Sequence, residues 1–455
     1  MVRQFDAIIV GAGQAGPSLA GRLAGAGREV AIIERHLVGG TCVNTGCTPT
    51  KTLIASAYAA HLARQGAKYG VVVPGPVSVD MARVQARAAA VSRHSREGNE
   101  TWLGSMDHCT LIRGHARLTG PHAVEVAGER LEAGQIFLNV GGRAAIPDLP
   151  GLDQVPYLTN SGMVDLDVLP RHLIVVGGSY IALELAQAWR RFGSEVTVIE
   201  KGSRLIARED PDISDAVRAF LEEEGIRVLL DSECIRFAPH EEGVAVQAGE
   251  TPIVGSHVLL AVGRRPNTDQ LGLEAAGVAT DRRGYITVND RLETSAAGIW
   301  ALGDCNGRGA FTHTAYNDFE IVAANLLDGA DRKVSDRIPV YALYTDPPLG
   351  RAGMGLAEAR ASGRRVLVGE RPMSRVSRAV EKGETHGLMR ILVDADDDRI
   401  LGGTILGPGG DEAIHALIDL MACGARAADL RGIMHIHPTV AELLPTIAGA
   451  LAPLR

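Results

Sequence analysis

Phe5-Asp6-Ala7-Ile8-Ile9-Val10-Gly11-Ala12-Gly13-Gln14-Ala15-Gly16 decides the fold. Phe5 to Val10 is a short apolar, β-branched run of the kind that forms a buried parallel strand. The glycines Gly11, Gly13 and Gly16 follow at once, then a helical stretch from Ser18 to Gly27, then a second strand from Val30 to Ile33 that ends in Glu34. Strand, glycine turn, helix and strand make a unit that binds a dinucleotide. The glycines let the backbone approach a pyrophosphate at the helix N-terminus, and the acid, about 20 residues on, takes the ribose hydroxyls. Three spaced glycines alone say little; their place between strand and helix makes the pattern specific.

The pattern recurs. Leu173 to Val176 is a strand, Gly177-Gly178-Ser179-Tyr180-Ile181-Ala182 the turn, Leu183 to Phe192 a helix and Val196 to Ile199 the next strand. Glu200 stands as far from Gly177 as Glu34 does from Gly11. Ser179 replaces the middle glycine and Ala182 the last, and both are small enough for close backbone approach. The chain therefore holds two nucleotides, or one nucleotide and a degenerate copy of its site. A carboxylate repels a 2′-phosphate, so Glu200 favours NADH over NADPH. Lys201 and Arg204 count the other way.

Between the two units lies Gly39-Gly40-Thr41-Cys42-Val43-Asn44-Thr45-Gly46-Cys47-Thr48-Pro49-Thr50-Lys51. A regular helix would hold cysteines five positions apart at roughly 8 Å between Cα atoms. A disulfide wants less than about 7 Å. Gly46 and Pro49 permit an irregular helix start that brings them together. Cysteines at a helix N-terminus gain thiolate character, and Lys51 adds positive charge one turn after Cys47. A zinc half-site or two buried thiols are the alternatives. Zinc needs about four ligands, and Cys109, Cys234, Cys305 and Cys423 are scattered singly. A redox pair is the preferred reading.

At 455 residues the chain is too long for one ordinary core. Its 54 glycines and few aromatics suit an α/β protein with many tight turns, and its net charge of −8 gives no sign of nucleic-acid binding. No signal-like segment and no apolar run of about 18 residues is present, so a cytoplasmic protein without membrane contact is expected. In that compartment a cysteine pair reads as catalytic. Helices are expected over Lys51–Gln65 and Met81–Trp102, and strands over Cys109–Val126 and Leu131–Val140. Pro147, Pro150 and Gly151 mark a linker. From about Ile338 the composition changes; Tyr341–Pro348, Gly387–Val393, Ile400–Leu406 and a helix over Glu412–Gly424 suggest a third unit.

The string Gly39–Lys51 resembles the redox motif of the FAD-dependent pyridine-nucleotide disulfide oxidoreductases, which include dihydrolipoamide dehydrogenase, glutathione reductase and mercuric reductase. Leu259–Pro266 (LLAVGRRP) and Thr294–Asp304 (TSAAGIWALGD) resemble two further family segments. The resemblance covers essentially the whole chain. It implies an α/β fold with two Rossmann-like nucleotide-binding domains and a C-terminal α+β dimerisation domain. The expected bounds are 1–148 with 272–336 for FAD, 149–271 for NAD(P) and 337–455 for dimerisation. In the family a Thr usually precedes Gly141; here the string is Asn139-Val140-Gly141.

The family's chemistry is implied residue by residue. NADH or NADPH reduces FAD, and electrons pass to a Cys42–Cys47 disulfide. Cys47 would lie against the flavin as the charge-transfer thiolate, and Cys42 would attack the substrate. Lys51 and Glu184 would pair beside the flavin, and Asp304 would meet its ribityl chain. Further cofactor contacts fall on Gly40, Thr41, Gly114, Gly141, Thr312, His313 and Gly263, beside Gly177, Ser179, Tyr180 and Glu200 of the second fingerprint. Tyr180 would gate the nicotinamide pocket, with helix packing as the alternative. Thiol–disulfide exchange needs a proton donor and a base, for which histidine suits. His437, followed by Glu442 in His437-Pro438-Thr439-Val440-Ala441-Glu442, matches the family's His-Glu pair. That His reaches the partner's site, so a homodimer is implied. No metal ligand set is expected.

Mercuric reductases carry Tyr at the position of His437 and a second cysteine pair at the tail. Here no cysteine follows Cys423, and the fingerprint starts almost at once, so neither a tail pair nor a preceding metal-binding domain is expected. Pro347-Pro348-Leu349-Gly350-Arg351-Ala352-Gly353-Met354 resembles the reductases linked to reactive-chlorine and hypothiocyanous-acid resistance. The leading expectation is an NAD(P)H-dependent reductase of a disulfide or thiol-reactive oxidant. Alternatives are a mercuric reductase, a dihydrolipoamide dehydrogenase and a low-turnover flavin redox sensor.

Overall fold

A computed structural model of the chain describes residues 2–233, 235–249 and 251–454; Cys234 falls outside them. The first sheet has Val2–Val10 at its centre, with Val30–Glu34 and Glu129–Leu138 parallel to it on either side. Cys109–Arg113 extends one edge in parallel and Ile299–Ala301 joins Glu129–Leu138 in parallel. Ala123–Val126 and Ala116–Gly120 continue from Glu129–Leu138 as an antiparallel meander. Alternation sorts the central strand. Ala7 and Ile9 enter a core with Leu19 and Leu23 on one face, while Ile8 and Val10 enter another with Ala31 and Ile33. A strand buried on both faces has no polar alternation, which is why Ala7-Ile8-Ile9-Val10 reads as a continuous apolar run.

The second sheet is four parallel strands in the order Arg227–Leu229, Glu195–Ile199, His172–Val176, His257–Leu260. It carries its own three-stranded antiparallel flap over 236–255. Gly142–Ala144 pairs antiparallel with Arg264–Pro266 and stitches the first unit to the second. The third sheet is six antiparallel strands, ordered from Val340–Leu343 through Leu349–Gly353, Ile400–Leu406, Leu388–Asp394 and Val366–Pro372 to Ala452–Pro453. Among the described residues no helix is long and apolar enough to cross a membrane.

Several elements differ from expectation at their ends. The first helix runs Ala15–Gly25, and the helix after the cysteines begins at Cys47 itself and ends at Gln65. The charged helix Met81–Gly104 is capped by Asp80, whose carboxylate accepts from the Arg83 N–H at 3.1 Å. The expected helix over 412–424 is two stretches, Gly410–Ala413 and His415–Ala422, meeting at Ile414. Tyr341–Pro348 is not one strand. Val340–Leu343 ends, the chain turns through a cis Asp346–Pro347 bond, and a new strand starts at Leu349.

Buried ion pairs hold the third unit against the second. Arg191, on the helix Tyr180–Phe192, bonds Glu224 and Asp346 at 2.6 Å each. Asp210 takes Arg351 and Arg390 at 3.1 Å each. All these side chains are mostly buried, so each charge depends on its partner, and losing one partner costs more than the pair gains.

Candidate active site

The first fingerprint turn is shaped against side chains. A Cβ on Gly11, where φ is +107°, would lie 2.3 Å from the Asn139 carbonyl oxygen, and one on Gly16 would lie 2.3 Å from the Gly11 carbonyl oxygen. Backbone N–H groups and a helix N-terminus are left to face whatever binds, and this cradle fits a pyrophosphate. Glu34 closes it: Oε2 accepts from the Ala12 N–H at 2.9 Å and Oε1 from the His36 N–H at 2.8 Å. The second turn repeats this wiring. Glu200 accepts from the Gly178 N–H at 2.6 Å and the Gly202 N–H at 2.8 Å. A Cβ on Gly177 would lie 2.4 Å from the Ala261 carbonyl oxygen. Ser179 stands at the N-cap position of the helix that follows, with no side-chain capping bond, and Ala182 is fully buried, so the two substitutions leave the architecture intact.

The cysteine segment is stitched to the first turn. The Gly39 N–H donates to Ala12 O at 2.8 Å, Gln14 donates to Gly39 O at 3.1 Å, and a Cβ on Gly40 would lie 2.9 Å from Gly13 Cα. Cys42 sits in a short helical turn, Gly40–Asn44. The chain breaks at Thr45 and Gly46, and a long helix restarts at Cys47. Pro49, in its first turn, forfeits no helical hydrogen bond, since first-turn N–H groups have no partner in the helix. The break brings the two cysteines together as free thiols in hydrogen-bond contact.

The pair is electrostatically asymmetric. Hydrogen bonding from Cys42 brings the Cys47 thiol down to about 6, with Thr312 and Lys51 helping and burial opposing. Cys42 moves upward, because it is the donor to Cys47 and is itself buried. Thr312 Oγ1 lies 3.3 Å from Cys47 Sγ, at the start of the helix Thr312–Leu327. In the reduced protein Cys47 is therefore ionised above about pH 6 and neutral below it. Thr312→Val is expected to raise that midpoint by about one unit, the worth of one hydrogen bond to a charged group. Thr312→Ser should restore it. The pH dependence of Cys47 alkylation, followed by mass spectrometry, measures both.

Lys51 Nζ reaches Glu184 Oε2 at 2.7 Å. The other oxygen of Glu184 accepts from the Tyr344 N–H at 2.9 Å, and the Tyr344 ring stands 4.5 Å from Lys51 Nζ. Asp304 follows the strand Ile299–Ala301 and pairs with Arg264 Nε at 3.3 Å; burial pushes its carboxyl up while Arg264 opposes.

One cleft of about 2640 Å³ joins these parts. Its wall includes Gly11, Gly13, Glu34, Gly40, Thr41, Cys42, Cys47, Lys51, Gly114, Gly141, Asp304, Thr312 and His313, together with Ser179, Tyr180, Glu184 and Gly263. Gly16, Gly177 and Glu200 do not line it. His437 and Glu442 are not on it either. His437 Nδ1 bonds Glu442 Oε2 at 2.9 Å, with the His side chain 73% exposed. The His437 ring is exposed, like Met434 and Ile436 just before it, while the Glu442 side chain is mostly buried.

Sequence reasoning missed three side chains. Asn139 donates its amide to Gly11 O at 3.1 Å and so braces the fingerprint turn. Tyr344 covers the Lys51–Glu184 pair from the third unit, a contact no local pattern encodes. Asn160 donates to Thr45 O at 2.9 Å, fastening the break between the cysteines to the start of the second unit.

Residues 5–318 match the family model described as pyridine nucleotide-disulphide oxidoreductase, and residues 340–448 match that family's dimerisation domain. The probable pyridine nucleotide-disulfide oxidoreductase RclA of Escherichia coli (strain K12) is 34% identical over 97% of this chain and 98% of its own. A dihydrolipoyl dehydrogenase of Thermus scotoductus is 34% identical, covering 99% and 98%. A mercuric reductase of Bacillus cereus is 31% identical, covering 96% of this chain and 70% of its own. The solved structure of the HOCl-induced flavoprotein disulfide reductase RclA from Escherichia coli superposes with a TM-score of 0.89 at 34% identity, covering 98% of this chain and 99% of that one.

Proposed function

Because the chain belongs to the pyridine nucleotide-disulphide oxidoreductases, FAD-dependent enzymes that use NAD(P)H, we propose that it reduces small disulfides or thiol-reactive oxidants through Cys42 and Cys47. The asymmetry of the cysteine pair carries this reading. A bound flavin supplies two-electron transfer from a nicotinamide to the disulfide. Residues 1–148 and 272–336 would hold FAD, 149–271 the nicotinamide nucleotide, and 337–455 would form the interface of a homodimer. The Gly11–Gly16 turn would receive the pyrophosphate, Glu34 the ribose and Asp304 the ribityl hydroxyls. Glu200, whose carboxylate already accepts two backbone N–H groups, favours NADH.

In the reduced pair Cys47 holds the thiolate and Cys42 the proton. Cys42 gives its proton to the partner's His437 and attacks one sulfur of the substrate R–S–S–R′. An S–S bond forms to Cys42, the substrate S–S bond breaks, and the leaving R′–S⁻ takes the proton from the same imidazolium. Glu442 orients the ring and stabilises its charged form. Cys47 then attacks Cys42, restores the disulfide and releases R–S⁻, which takes up a proton. The sum is NAD(P)H, one proton and R–S–S–R′ giving NAD(P)⁺ and two thiols.

The relative induced by HOCl directs the choice of substrate toward oxidants derived from hypohalous acids. Hypothiocyanous acid fits, because attack by Cys42 and release of the same two electrons gives thiocyanate and water. The 31% identity to mercuric reductases favours Hg(II) as the second reading. NADH oxidation measured with small disulfides, hypothiocyanous acid, dihydrolipoamide in reverse and Hg(II) discriminates these. Fast turnover with Hg(II) that survives loss of His437 would replace the proposal.

A further inference from the structure

Glu209 is an anion with no place in the chemistry above. Its side chain is wholly buried. Its Oε1 accepts two phenol hydroxyls, Tyr180 and Tyr341, at 2.8 Å each. Its Oε2 has no hydrogen-bond donor; Arg351 Nη1 lies 3.6 Å away and is bonded to Asp210 and Thr404. Tyr180 stands on the cleft wall, edge-on to Phe311 and Tyr341. Tyr341 belongs to the strand Val340–Leu343 of the third sheet and stacks on Phe311 at 5.6 Å. Two units thus meet at one carboxylate oxygen.

The backbone that delivers Glu209 is strained. Ile206 has φ of +39°, in the left-handed region that a β-branched residue avoids. Its N–H bonds to Gly178 O in the second fingerprint turn, and its own carbonyl accepts from the Glu209 N–H, each at 2.8 Å. Strain of this kind persists where surrounding contacts over-determine it, and such positions cluster at functional sites. Here the contacts run from the nucleotide turn to Glu209.

We propose that Glu209 is a positioning residue, a latch that holds the Tyr180 hydroxyl and sets how readily the nicotinamide pocket opens. The proposal rests on Tyr180 gating that pocket in the reading above. For Tyr180 to swing out, its O–H must leave a buried carboxylate. Tyr341 stays behind as the remaining donor, so opening does not strip the anion bare. Oxygen sharing is then the design: the second phenol lowers the cost of releasing the first. A fully unbonded buried carboxylate would be far more expensive.

Removing the latch and removing its helper should act in opposite directions. The measurement is anaerobic stopped-flow reduction of the bound flavin against NADH concentration. Tyr180→Phe deletes the latched hydroxyl and is expected to lower half-saturating NADH by about tenfold, because a larger fraction of the protein is open. Glu209→Gln keeps an acceptor but loses the charge, and should shift it the same way by less. Tyr341→Phe leaves Tyr180 as the sole donor and should raise half-saturating NADH. Tyr180→Phe combined with Glu209→Gln should match Tyr180→Phe alone. A general loosening of the site would move Tyr180→Phe and Tyr341→Phe together, and that result overturns the latch. So does a shift of less than about twofold in Tyr180→Phe. Should Glu209→Gln fail to retain FAD, the two phenylalanine variants, each lacking one hydroxyl, still decide. A parent protein whose flavin NADH and NADPH both fail to reduce contradicts the proposed function itself, a separate outcome.

Discussion

Replacing Cys42 with serine is expected to reduce turnover of disulfide and oxidant substrates by about 10⁴-fold or more, the scale on which loss of an essential nucleophile acts. A hydroxyl at position 42 cannot attack sulfur at neutral pH. It can still donate a hydrogen bond to Cys47, as the Cys42 thiol does. Cys47 would remain anionic with no partner to form a disulfide. The oxidised, flavin-loaded C42S protein should therefore be coloured from the start, with long-wavelength absorbance that fades as pH falls below about 6. Steady-state NADH oxidation and a visible pH titration measure the two effects. Turnover that persists in C42S would remove the thiol mechanism for every substrate considered.

Loss of His437 should cost about 10²- to 10⁴-fold in substrate turnover, the usual contribution of a positioned acid–base group, while reduction of the flavin by NADH continues. The stronger test concerns which chain the histidine serves. The His437 side chain is 73% exposed, does not line its own cleft, and bonds Glu442 at 2.9 Å. If it completes the partner's site, a C42S chain and an H437A chain assembled together form one working site per mixed dimer, Cys42 from one and His437 from the other. Random mixing of equal amounts then restores about a quarter of wild-type activity. If His437 acts within its own chain, both sites of every mixed dimer are dead and nothing is restored. Co-expression with two affinity tags isolates the mixed species.

Much of the architecture was legible because it depends on local rules. The two nucleotide units announce themselves through glycines that no side chain can replace, Gly11 against Asn139 O and Gly177 against Ala261 O. The acids Glu34 and Glu200 follow from strand length, and both are wired to two backbone N–H groups. The cysteine pair was legible through Gly46 and Pro49, which break one helix and start another. What stayed hidden is non-local. Tyr344 and Tyr341, just after and within the strand Val340–Leu343, lie 160 and 132 positions along the chain from their partners Glu184 and Glu209. Asn139 braces Gly11 O from 128 positions along the chain.

The proposed mechanism requires the Cys42–Cys47 pair to stand in electronic contact with the flavin. Anaerobic titration of the purified yellow protein with NADH, followed in the visible spectrum, tests this most directly. The predicted result is a long-wavelength charge-transfer band that is complete after two electrons, while the flavin stays oxidised and the thiolate of Cys47 faces it. Bleaching of the flavin by the first two electrons, with no such band, would mean that the cysteines do not receive the electrons, and would contradict the disulfide-reductase mechanism at its centre.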